Sequence, residues 1–149
     1  MSIHGQAALA VAAGRQAEGY SAIALGLAGD STQAERLAAD LGKRFSEDTV
    51  VKFNFVPMIR SAIALHSGND KQAIHALSAS APDELGQTNS SFTFALYPVY
   101  FRGVAFLAAK QGTAATGEFQ KILDRAGIAG NQPIGALAHL ELGRVCAVG

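Results

Sequence analysis

Three turns recur along this chain with a common sequel. Gly29-Asp30-Ser31, Gly68-Asn69-Asp70 and Lys110-Gln111-Gly112 are each followed, five positions after their first residue, by a small side chain: Ala34, Ala73 and Ala115. The intervals between the turns, 39 and 42 residues, fall in the range of helical repeats. A small residue at a fixed distance from a turn is what two closely crossing helices require, because their axes approach only where side chains are short. Gly103 and Gly143 answer the same demand on the helices that precede such turns. The recurrence points to an all-α chain built of about three to four helix pairs.

Local patterns agree. Ser31 to Leu41 sets Ala34, Leu37, Ala38 and Leu41 on one stripe, with Glu35, Arg36 and Asp40 opposite. Asp30 or Ser31 can cap that helix, and Lys43 and Arg44 suit its C-terminal end. Asp70 to Leu77 repeats the design with Asn69 or Asp70 as cap, and Thr113 to Leu123 repeats it through Ala115, Phe119, Ile122 and Leu123. An apolar helix precedes each: Glu18–Ala28, Met58–Ser67 and Val99–Ala109, with a last one from Ile134. A further short helix is expected over Ala7–Ala13. Val50–Val56 and Ser91–Leu96 are rich in Val and Phe and resemble strands, but they read better as helix approaches or first turns. Pro57 suggests a kinked helix beginning near Asp48, and Pro98 a helix start near Tyr97. The repeat boundaries are then a half repeat over 1–14, repeats over about 15–46, 47–90 and 91–130, and a half repeat over 131–149.

Composition narrows the classes. The chain has 149 residues, enough for one domain, and 29 of them are alanine, the strongest helix former. Twelve basic side chains balance twelve acidic ones, so no net charge favours nucleic acid or an anionic lipid surface. No apolar run approaches the roughly 20 residues of a membrane span. The single cysteine, Cys146, excludes an intrachain disulfide and any multi-cysteine zinc site.

The run Leu142-Gly143-x-x-Cys146 and the runs Ala115-x-x-x-Phe119 and Ala73-x-x-x-Leu77 resemble the two halves of tetratricopeptide repeats. Departures are the absence of tryptophan, Ala38 where a large residue should follow Ala34, and repeats longer than the usual length of roughly 34 residues. More narrowly, Tyr97 to Gly103, Glu118 to Arg125 and Pro133 to Leu140 resemble the C-terminal helical repeats of certain bacterial serine/threonine kinases, and similar repeats follow winged-helix regulators. The likeness spans roughly Glu18 to Val148 and includes no catalytic residue. It implies a right-handed α-α superhelix, a tetratricopeptide-like solenoid, serving as the repeat segment of a bacterial signalling protein on either side of its membrane. The phase of the helices, beginning with a lone second-type helix and closing on a lone first-type one, suggests a segment of a longer protein or pairing of copies through terminal helices. Leu137, Leu140 and Leu142 would form that unpartnered end.

Catalytic chemistry finds little support in the residues. His4, His66, His75 and His139 lack metal-ligand spacing, and Gly26-x-x-Gly29 lacks the third glycine and preceding strand of a phosphate loop. No glycine-rich nucleotide loop, His-Arg-Asp or Asp-Phe-Gly triplet occurs, so no cofactor, metal or catalytic residue is expected. Cys146 suits a packed thiol in an apolar helix. Asp83, Glu84, Glu47 and Asp48 suit helix N-termini.

What remains is a protein or peptide-binding groove, which the repeat fold places on the first helices of successive pairs. In this register Phe55, Met58, Tyr97, Tyr100 and Arg144 fall on that surface, although Phe55, Met58 and one tyrosine suit the core better than the groove. Lys52 and Arg60 could add charge. Two other readings are a small-molecule site lined by Tyr97, Tyr100, Arg102 and His139, and a purely structural spacer.

Overall fold

The computed structural model describes residues 14–81, 96–129 and 132–148. Among these the chain is helical throughout, with no strand. The order is α1 (Arg15–Ala28), α2 (Ser31–Arg44), a π-helical turn (Val51–Phe55) running into α3 (Val56–His66), α4 (Asp70–Ser78), α5 (Tyr97–Ala108), α6 (Gly112–Leu123), the short α7 (Ala126–Ala129) and α8 (Ile134–Val148). The expected helix over Ala7–Ala13 lies outside the described residues, as do residues 82–95, which include Asp83 and Glu84. The short α7 occupies Ala126–Ala129, between α6 and α8.

The three recurrent turns share one backbone geometry. Gly29, Gly68 and Lys110 all adopt left-handed conformations, with φ of 93°, 69° and 59°. At each, one N–H reaches back three residues and the next reaches back five: Gly29 to Gly26 and Asp30 to Leu25, Gly68 to Leu65 and Asn69 to Ala64, Lys110 to Leu107 and Gln111 to Phe106. These paired bonds satisfy the last carbonyls of α1, α3 and α5 and reverse the chain within two residues. The side chains of Asp30 and Asn69 then accept from Gln33 N–H and Gln72 N–H, capping α2 and α4. Gln111 makes no such side-chain cap on α6.

Lys110 fills a left-handed position without the freedom of glycine, a conformation that costs an L-residue roughly 1–2 kcal/mol. Lys110→Gly is therefore expected to stabilise the chain by about 1 kcal/mol, after allowing for glycine's larger unfolded-state entropy. A urea midpoint that rises at unchanged slope would show it.

Each turn closes a helical hairpin, and the hairpins pack in sequence. Helix α1 lies on α2 and α3, α3 on α1, α2, α4 and α5, and α5 on α3, α4, α6 and α8. The alanines five residues beyond the turns are fully buried. On the facing helix the close approach is equally tight: a Cβ placed on Gly103 would lie 2.6 Å from the Phe119 ring, and one on Gly19 would lie 2.4 Å from Phe55. Gly143 does not do the same on α8, where an added Cβ would meet nothing within 4 Å. Among the described residues helix α8 is covered on one side, through Ile134, Ala138, Glu141, Leu142 and Val145, and Gly143 and Cys146 face outward. The packed thiol expected for Cys146 is thus an exposed one.

The segment around Val50–Val56 is helical. In a regular α-helix the ring of Pro57 would clash with the carbonyl of Phe53, four residues earlier. Phe53 lies instead within a wider turn, in which Val56 N–H bonds to Val51 O five residues back. Asp48 starts this helix by accepting from Val50 and Val51 N–H, while Arg15 from α1 pairs with its carboxylate.

Candidate functional site

Side by side, α1, α3 and α5 enclose an apolar groove of about 250 Å³, lined by Tyr20, Ile23, Ala24, Leu27, Met58, Tyr97 and Phe101. The four residues from α1 sit at i, i+3, i+4 and i+7, a single helical stripe. Tyr97 and Phe101 are one turn apart on α5 and form the opposite wall. Met58, 1% exposed, is the floor. Leu27 stands at the rim with half its surface in water.

The wall formed by α1 is set by the π-helical turn. Phe55 projects beneath Gly19, and its ring meets Tyr20 edge-on with centroids 5.3 Å apart. Only glycine at position 19 admits that ring, so Tyr20 is held upright beside the groove. Burial raises the Tyr20 phenol well above the usual tyrosine range, and the nearby Tyr97 adds to the shift; burial raises Tyr97 as well. Both phenols therefore stay neutral across ordinary pH.

A second polar cluster lies between α5 and α8. Tyr100 donates to Glu141 at 3.3 Å, and Arg144 pairs with the same carboxylate oxygen at 2.7 Å. The Tyr100 ring leans on Phe119 at 5.9 Å. Burial, followed by the Glu141 charge, pushes the Tyr100 phenol up from 10.0 to about 12. Between those values the unfolded chain has lost the proton and the folded chain keeps it, so stability is intact below pH 10.0 and falls as pH rises toward 12. Tyr100→Phe is expected to make that alkaline decline shallower, as read from melting temperature against pH.

Of the five residues expected to line a binding surface, Met58 and Tyr97 meet in the groove. Phe55 is buried beneath α1 at 2% exposure, because the helix bearing it crosses at a glycine. Tyr100 and Arg144 meet each other's partner, Glu141, away from the groove. Lys52 is exposed over Phe53, and Arg60 pairs with Glu35. Of the alternative quartet, Tyr97 alone lines the groove: Arg102 is buried against Glu118, and His139 is exposed on α8. Tyr20, Ile23, Leu27 and Phe101 were the less evident members. For the first three the signal is that α1 is apolar around more of its circumference than one covering helix can bury.

Among the described residues no group of three or more His, Cys, Asp or Glu side chains could hold a metal ion, and no helix is long and apolar enough to cross a membrane. No protein-family model matches the chain, and no curated protein and no solved structure shows significant similarity to it.

Proposed function

We propose that this chain is a non-catalytic interaction module, a tetratricopeptide-like repeat segment that docks a protein partner as part of a bacterial signalling protein. The observation that carries the reading is the groove itself. Three equivalent helices, each the first of its hairpin, contribute side chains to one continuous apolar surface. A core would have closed over those side chains, whereas here Leu27 and Ala24 remain in water at the edge. The right-handed superhelix belongs to the same proposal. Its support is the congruence of the three turns and the packing of each hairpin on the next.

The groove's chemistry favours a protein over a metabolite. Small-molecule sites typically offer roughly 300–1,000 Å³ and a few convergent polar groups. This one is smaller, and among the described residues its only polar lining side chains are the two phenols.

Selection of displayed peptides on the immobilised chain tests the reading, with Leu27→Asp selected in parallel. Leu27 is half exposed, so an aspartate there is compatible with folding while placing a charge at the rim. Enriched sequences are expected on the natural chain and at least tenfold weaker enrichment on the variant, the consequence of lodging apolar groups against a desolvated charge. Equal enrichment on both would refute the proposal.

A further inference from the structure

Resting on that docking function, we infer that the groove's occupant is a helix of a partner protein presenting two large uncharged side chains one turn apart. Three observations select it over other peptides. The first concerns charge. The Asp, Glu, Lys and Arg residues of α1, α3 and α5 are Arg15, Glu18, Arg60 and Arg102, and each is paired with a side chain from outside those helices: Asp48, Arg44, Glu35 and Glu118. The Asp, Glu, Lys and Arg side chains of the helices framing the groove therefore all have a counter-charge already, and a charged anchor would be desolvated there without one of its own. A neutral groove is complementary to a neutral segment.

The second concerns backbone. An extended peptide brings N–H and C=O groups that must find partners. Away from the helix ends the groove walls satisfy their own backbone bonds, the Leu27 carbonyl is met by the His66 ring at 3.0 Å, and among the described residues the lining holds no Ser, Thr, Asn or Gln side chain. A helix satisfies its own backbone and asks only for apolar contact.

The third is size. The stripe from Tyr20 to Leu27 spans about 10 Å at the helical rise, close to two turns. A cavity of about 150 Å³ holds one benzene-sized group. The groove's volume of about 250 Å³ thus admits one aromatic and one aliphatic side chain, which positions i and i+3 or i+4 of a helix deliver together.

The test uses the full chain and a displayed library of random peptides about 12 residues long, long enough for a helix carrying such a pair. After selection, the most enriched peptide is synthesised and titrated at low and high salt. The expected result is enrichment, lost with Leu27→Asp, of sequences with two large apolar residues three or four apart and no charge between them. Their affinity should change less than about twofold with salt, since no charged contact is screened. Leu27-dependent enrichment of proline-rich, alternating or charged sequences would overturn this inference and leave the docking function standing. Absence of any Leu27-dependent enrichment would overturn both. A concentration-dependent dimer abolished by Leu27→Asp would make a second copy the occupant and likewise overturn the inference.

Discussion

Phe119→Ala is expected to cost about 3–5 kcal/mol, a large share of the total stability of a domain this size. Phe119 is fully buried, and its ring fills the space left by the missing side chain of Gly103 on the facing helix. It also supports the Tyr100 ring at 5.9 Å. Truncation therefore removes contacts to two helices and opens a cavity that a rigid hairpin cannot close. The residue stands in the cluster with Val99, Ala115, Ile122, Ile134 and Ala138, so α8 should loosen together with the third hairpin. Equilibrium denaturation monitored by circular dichroism would measure the loss. A cost below about 1 kcal/mol would mean that this crossing is not the packing point described.

Glu118→Leu is the second large effect. Arg102 on α5 and Glu118 on α6 form an ion pair at 2.6 Å with side chains 7% and 10% exposed. Arg102 also donates to the Leu77 carbonyl near the end of α4, which ties the second hairpin to the third, and Lys121 meets the other Glu118 oxygen at 2.9 Å. Removing the carboxylate strips a buried guanidinium of its counter-charge, a loss of about 3–5 kcal/mol. Replacing both partners with apolar side chains, Arg102→Met with Glu118→Leu, should restore most of it, because the desolvation cost of both ions disappears too. With Arg102→Met alone as the third variant these measurements complete a double-mutant cycle, and additive losses would contradict the assignment.

How much of this was legible in the sequence depended on whether the cause was local. The turns were legible because a left-handed helix end demands glycine or tolerates a polar residue such as Lys110, and because alanine must follow where the helices cross. Asp30 and Asn69 were readable as caps for the same reason: the bonds they make lie within three residues. The π-helical turn was less so. Pro57 signalled an interruption, but the wider turn depends on Phe55 fitting beneath Gly19, thirty-six residues away in the chain. Gly143 and Cys146 misled because a single helical pattern does not say which of its faces is covered. Both looked like packing residues and both face outward on α8.

The groove was partly readable. Met58 and Tyr97 carried the right combination of bulk and position, and they meet there. Tyr20 and Leu27 were harder to single out, because apolar residues on α1 are equally needed to pack α2 and α3. Which apolar stripe remains over once those neighbours are in place is a property of the assembled hairpins.

In the proposed docking function the face shared by α1, α3 and α5 is the working surface of this protein. Amide hydrogen exchange with and without a peptide recovered by selection tests it most directly. Added protection is expected over α1 between Tyr20 and Leu27 and over the first turns of α5, and nowhere else. Protection centred instead on the outward face of α8, around Leu140 and Gly143, would contradict it.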